Sequence, residues 1–180
     1  MADEDLKILA AQGLADTFAN NVNEYLRDAD ENVHRAFESS GISSRIDFSE
    51  ASLEVLDIVF SLIVANSQGP LALLFIRKFE PYVKHDEALD RILRSGFFYV
   101  AEVAHRNLGA KWMVKKSFWS GTKLGLQLPN GDFVAEEELQ KGLPKAIYLA
   151  LKARIKGVPV NTVELSKRPP DAAASSTRSW

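Results

Sequence analysis

The chain of 180 residues contains no cysteine and only three histidines. Without cysteine it can form no disulfide, no thiolate metal site and no cysteine nucleophile. Its longest apolar run, Leu71–Ile76, is far too short to span a bilayer. The acidic start, Met1–Asp5, lacks the basic and then apolar pattern of a secretory signal. These absences favour a cytoplasmic protein with no membrane partner.

The short motifs of hydrolase and nucleotide chemistry are also missing. There is no Gly-x-Ser-x-Gly, no His-Glu-x-x-His and no glycine-rich phosphate loop ahead of a helix. Two Glu-x-x-His pairs, Glu31/His34 and Glu102/His105, have the spacing of di-metal ligands in helical bundles. Both pairs point away from the apolar stripes of their helices, whereas such ligands project inward. We therefore expect no metal, no cofactor and no enzyme activity, and an enzyme built on Glu102/His105 is the third alternative.

Charge is distributed unevenly along the chain. Residues 1–90 hold 7 Lys and Arg against 17 Asp and Glu, a net charge of −10. Residues 91–180 hold 15 against 7, a net charge of +8, so the total of −2 conceals the difference. A coherent surface field steers partners and selects them by the sign of their charge.

Apolar periodicity predicts four or five helices. Over 16–39, apolar residues recur at every third or fourth position and the opposite face is acidic. Residues 4–14 are a candidate for earlier turns of the same helix, with Gly13 as a weak point. Further helices are predicted over 48–65 behind a capping box at Asp47–Glu50, over 71–79, over 86–108, and from Pro144 to Gly157.

Residues 111–136 alternate between apolar and polar positions, which predicts a three-stranded antiparallel meander. Its predicted turns are Ser120–Thr122 and the strong hairpin signal Asn130-Gly131. Phe98 falls on the polar side of helix 86–108, so a second layer should cover it and make that helix central.

The predicted fold class is therefore α+β, with helices packed on a small sheet. A single domain is expected over 1–165, including a short strand over 160–165. Residues 166–180 have no periodicity and are predicted to be a disordered tail.

The segment Tyr99-Val-Ala-Glu-Val-Ala-His-Arg-Asn-Leu-Gly-Ala-Lys-Trp112 resembles a motif of small, mostly uncharacterised bacterial proteins. In these proteins the motif contains, in order, a Tyr, a Gly-Glu pair, the sequence Arg-Asn-Leu-Gly-Gly and a Trp. It follows a segment similar to Asp47–Leu53. Here Ala101 and Ala110 replace two of the usual glycines, and the resemblance covers about residues 47–135. Because such proteins are often encoded among antibacterial toxin and immunity genes, the resemblance implies an inhibitor role and no catalytic residue.

The acidic helix face and the resemblance together predict a non-enzymatic protein-binding module. We expect an immunity protein that binds a basic toxin domain and covers its active site. The residues expected to meet the toxin are Glu24, Asp28, Glu31 and Glu38.

Two other interpretations remain open. A nucleic-acid-binding or regulatory protein would use Lys115, Lys116 and Lys123, with Trp112 and Trp119 available for stacking. The acidic half would repel a nucleic acid, which makes this partner the weaker expectation. Alternatively, both charged faces serve only solubility and internal complementarity. The pair Glu102 and Arg106, four residues apart, is expected to be a structural ion pair.

Overall fold

The computed structural model describes residues 3–28, 45–65, 76–77, 79, 84–117, 121–139 and 142–157. In these residues the chain forms five helices with defined ends and one antiparallel sheet, which confirms the α+β prediction. The helices are α1 (Asp3–Arg27), α2 (Ser52–Ala65), α3 (His85–Leu108), α4 (Glu136–Leu139) and α5 (Pro144–Ile155). The strands, in sheet order, are β1 (Lys111–Ser117), β2 (Gly121–Gln127) and β3 (Phe133–Ala135). Among the described helices, none is both long and apolar enough to cross a membrane.

Helix α1 begins at Asp3 rather than at residue 16, so residues 4–14 do belong to it. Three acidic residues in its first turn interact favourably with the positive end of the helix dipole. Gly13 does not break the helix, because its cost of about 1 kcal/mol is small beside the packing of the whole buried stripe. That stripe consists of Ala11, Ala15, Phe18, Ala19, Val22 and Leu26. The helix ends at Arg27, and residues 29–39 of the predicted element lie outside the described residues.

Helix α3 is the centre of the domain, as its sequence predicts. Every residue from Phe97 to Ala104 is buried, so the helix is covered on all sides through two turns. Helices α1, α2 and α5 pack on it, and Phe98 is covered by Trp112 of β1, with ring centroids 6.2 Å apart. The helix ends at Leu108. The next residue, Gly109, has a φ of 69°, the left-handed conformation typical of a residue that follows a helix.

The sheet confirms one predicted turn and corrects the other. At Asn130-Gly131 the Leu128 N–H donates to Asp132 O at 2.8 Å, and Gly131 has a φ of 91°. The turn predicted at Ser120–Thr122 is wrong for its last two residues. Gly121 and Thr122 are already in β2, paired with Ser117 and Lys116 of β1.

The predicted capping box at Asp47–Glu50 is also wrong. Helix α2 starts at Ser52, and the Ser49 hydroxyl accepts the Ser52 N–H at 3.2 Å. Asp47 instead accepts the Ser49 N–H at 3.0 Å, two residues on. Glu50 contacts Lys152 of α5 rather than its own helix start, because packing of α5 offers it a cationic partner.

The remaining predicted segments are short or only partly described. Helix α4 follows β3 directly and was not predicted, since four residues with three glutamates show no apolar period. Of the helix predicted over 71–79, only 76–77 and 79 are described, and these are helical. The strand over 160–165 and the tail over 166–180 lie outside the described residues.

Two helix glycines provide a matched test of the packing. An added Cβ at Gly96 would lie 2.8 Å from Phe60 Cε1 and closer still to Cζ, so the buried Phe60 ring would have to shift against its packed neighbours. An added Cβ at Gly13 meets nothing within 4 Å. Gly96→Ala should therefore destabilise the protein by about 1–3 kcal/mol, and Gly13→Ala should stabilise it by about 0.5–1 kcal/mol. Urea unfolding of the two variants measures both effects, and a neutral Gly96→Ala would contradict the packing of α2 on α3.

Candidate functional site

The predicted partner-binding acids are only partly described. Glu24 lies in the last turn of α1 and Asp28 directly follows it, both exposed. They flank Arg27, whose guanidinium lies 3.6 Å from Glu24 and 3.3 Å from Asp28. Carboxylates near a helix C-terminus are opposed by the helix dipole, so helix stability does not explain them. We call Glu24 and Asp28 the acidic end of α1; Glu31 and Glu38 lie outside the described residues.

The first half of α1 exposes leucines that sequence periodicity did not single out. Leu6, Leu9 and Leu14 are 51%, 53% and 44% exposed. At about 100° per residue, Leu6 and Leu9 lie on the side of the helix away from the buried Phe18 and Val22. Leu14 lies at the border of the buried stripe, one turn before Phe18. Contiguous exposed apolar surface of this kind is typical of interaction sites. We call this surface the outer face of α1: Leu6, Leu9, Ala10, Gly13 and Leu14.

A cleft of about 380 Å³ opens beside the outer face, between α1, α3, α4 and β2. Leu14 belongs to both surfaces, so the cleft and the outer face are continuous. Apolar side chains line part of the cleft, among them Phe98 and Leu124. Its charged lining combines three cations and two acids: Lys7, Arg94, Lys123, Glu136 and Glu137. Arg94 and Glu136 are bound to each other, at 2.6 Å, and Lys123 lies 3.6 Å from Glu137.

The basic hairpin does not present one continuous cationic surface. Lys115 and Lys123 are directly opposite each other in the β1–β2 register, whereas Lys116 belongs to the other face of the sheet. Lys116 is 2.9 Å from Glu4 of α1. Trp112 is buried, so it offers no ring for stacking, and Trp119 lies outside the described residues.

Part of the charge imbalance between the two halves is resolved by ion pairs among the described residues. Glu54 of α2, and Glu50 just before it, form ion pairs with two lysines of α5. Surface pairs of this kind contribute at most about 1 kcal/mol each, but they fix which faces meet. Among the described residues, pairs that join distant parts of the halves are Glu4–Lys116, Asp16–Arg106, Glu50–Lys152 and Glu54–Lys145.

Glu102 is a buried structural carboxylate, only 4% exposed. Its two oxygens accept hydrogen bonds from Trp112 Nε1 and Arg106 Nε, each at 2.8 Å. Burial alone would raise the pKa of Glu102, but the hydrogen bonds and the Arg106 charge outweigh it and hold the pKa below 4.5. His105 is engaged elsewhere, with Nδ1 2.6 Å from Ala110 O. Within the described part of the chain, no group of three or more His, Asp or Glu is placed to hold a metal ion.

The two segments that carry the family resemblance meet at Phe48. This residue has a φ of 62°, an uncommon conformation for a bulky side chain. Its N–H donates to the Tyr99 hydroxyl at 2.7 Å, and Asn107 Nδ2 donates to its carbonyl at 2.8 Å. The Phe48 ring stacks on Tyr99, and the Arg106 guanidinium lies 3.8 Å from the ring centroid.

This arrangement gives the Tyr99–Trp112 motif a structural role. Arg106 connects Glu102 and Phe48 with Asp16 of α1, so the motif also fixes α1 against the core. Burial raises the pKa of Tyr99 to about 12, so the hydroxyl stays protonated as a hydrogen-bonding group. No sequence signal marks Phe48 in advance, since positive φ is signalled reliably only by glycine.

Comparisons of the chain with protein-family models, curated proteins and solved structures give no match. The expected relation to proteins of toxin and immunity genes therefore stays a prediction.

Proposed function

We propose that the protein is a non-enzymatic protein-binding module of the immunity type, which binds and neutralises an antibacterial toxin through the acidic end of α1. The observation that carries the proposal is the position of Glu24 and Asp28. Both are exposed at one end of a helix whose outer face also exposes three leucines. Glu31 and Glu38 belong to the acidic set that the sequence predicts for the same partner.

Charge on such a surface affects both the rate of association and the choice of partner. Acidic groups attract a partner whose contact surface carries Lys and Arg, and they raise the rate of encounter. A bound inhibitor then blocks the toxin by covering its active site, which requires no catalytic group on this chain. The structural roles of Glu102 and His105 are consistent with a function by binding.

Reversing the acidic end should weaken this function without unfolding the protein. The double variant Glu24→Lys/Asp28→Lys should associate with the proposed toxin partner, sought first among proteins encoded beside this chain, about tenfold more slowly at low salt. The difference should shrink at 1 M salt, where the Debye length falls to about 3 Å. Stopped-flow association kinetics and survival of toxin-expressing cells measure the two effects.

The matched control is Glu87→Lys/Asp90→Lys, which makes the same change in net charge at exposed positions of α3. It should leave association and protection near the wild-type values. Equal slowing by both double variants would indicate a net-charge effect only. Unchanged association of Glu24→Lys/Asp28→Lys would remove the acidic end from the interface.

A further inference from the structure

The outer face of α1 has a charge pattern across it as well as an apolar centre. On the helical wheel Asp5 and Asp16 lie on the flank next to Leu9. Lys7 lies on the other flank, beside Leu14 and the cleft. The apolar centre therefore has acids on one side, of which Asp16 also lies 3.6 Å from Arg106. On the other side is the cleft of mixed charge, where Lys7 lies 2.8 Å from Asp3.

We infer that the outer face of α1, with the adjoining cleft, is the surface that anchors the protein partner. This inference rests on the proposed function and adds the location and chemistry of the contact. The partner presents an amphipathic segment whose apolar side chains cover Leu6, Leu9 and Leu14. One apolar side chain of the partner enters the cleft. Lys or Arg on one edge of that segment lies over Asp5 and Asp16.

Charge complementarity favours such a partner over a second copy of this chain. In a two-fold symmetric dimer, the outer face of one copy would contact the outer face of the other. In an antiparallel pair of α1 helices, the flanks bearing Asp5 and Asp16 would meet each other. In a parallel pair Glu24 would oppose Glu24 of the second copy, because it lies in line with Leu6 after about five full turns. The antiparallel pair therefore opposes like charges along the acidic flank. The parallel pair opposes them only at Glu24, because its Asp5 and Asp16 flank meets the Lys7 flank of the other copy.

The leucines and the acids have separable effects on binding. Apolar anchors that become fully desolvated contribute mainly to the lifetime of a complex, whereas rim charges act mainly on encounter. Truncating the anchors should therefore speed dissociation, in contrast to the slower association expected for Glu24→Lys/Asp28→Lys. This difference in kinetics distinguishes the inference from the proposed function.

The test uses the full chain and the purified toxin encoded beside it as the probe. Leu6→Gln/Leu9→Gln should raise the dissociation rate constant about 10- to 100-fold, with little change in association. The matched control is Leu149→Gln, since Leu149 of α5 is 46% exposed and lies on another surface. Both variants should keep the wild-type thermal unfolding temperature, because the substituted side chains are exposed.

Each other outcome contradicts a specific statement. If the wild type binds and Leu6→Gln/Leu9→Gln dissociates no faster than Leu149→Gln, the outer face is not the anchor, although the proposed function stands. If the wild type does not bind the probe, the proposed function fails and the inferred partner fails with it. A dimer in sedimentation velocity that Leu9→Gln converts to monomer would show a second copy as the occupant and overturn the inference.

Discussion

Replacing Glu102 by glutamine should lower the free energy of unfolding by about 2–4 kcal/mol, although the side chain keeps its size. The carboxylate accepts from Trp112 and Arg106 at once, and it is 4% exposed. A glutamine amide has one acceptor, and its NH₂ group would face a donor. A buried donor would then lack its partner, and Arg106 would lose the charge that holds it between Phe48 and Asp16.

Chemical denaturation of Glu102→Gln measures the loss, with Glu87→Gln as the control. Glu87 pairs with Arg91 at 2.8 Å, but both side chains are exposed, so its loss should cost less than about 1 kcal/mol. Similar effects of the two substitutions would contradict a structural role for the buried carboxylate.

The same residue predicts a pH dependence. The pKa of Glu102 is lower in the folded protein than its ordinary value of 4.5. Its contribution is therefore present above pH 4.5 and is lost as the pH falls through the folded pKa. The stability difference between wild type and Glu102→Gln should accordingly narrow below pH 4.5. A difference that widens on acidification would show that the sign of this shift is wrong.

Phe18→Ala should be the most damaging single change in α1, with an expected loss of about 3–5 kcal/mol. Phe18 is 1% exposed, and its ring lies 6.3 Å from Phe60, 5.8 Å from Phe79 and 6.2 Å from Tyr99, centroid to centroid. Removing the ring leaves a cavity at the contact between α1 and the core.

Urea unfolding of Phe18→Ala and of Leu9→Ala compares the loss of stability at a buried and at an exposed position of the same helix. Leu9→Ala should change stability by no more than about 0.5 kcal/mol, because Leu9 is exposed. A loss below 1 kcal/mol for Phe18→Ala would mean that α1 is not a fixed part of the core. The rigid positioning of its outer face would then be wrong as well.

Sequence periodicity and turn chemistry account for much of the fold. Helix α3, helix α5 and the Asn130-Gly131 hairpin are local features, set by apolar spacing, Pro144 and glycine. The start of α1 could not be placed, because exposed leucines between residues 6 and 14 obscure the apolar stripe of the core. Helix α4 was missed because it is one short acidic turn.

The candidate site was less predictable than the fold. The helical wheel places Glu24 on an exposed face, and the structure agrees. Sequence alone cannot distinguish a leucine that faces the core from one that faces solvent, so it does not predict the outer face of α1. The contact of Phe48 with Tyr99 spans 51 positions, and tertiary packing alone creates it. Part of the charge difference between the halves is resolved in ion pairs such as Glu50–Lys152, which join residues about 100 positions apart.

The most direct test of the proposed protein-binding role of α1 is the affinity of one combined variant for the proposed toxin partner. The variant Leu6→Gln/Leu9→Gln/Glu24→Lys/Asp28→Lys changes only exposed side chains. Slower association and faster dissociation should multiply to a loss of affinity of about 100-fold or more, with thermal unfolding unchanged and protection of toxin-expressing cells abolished. Wild-type affinity and full protection by this variant would contradict the role assigned to α1.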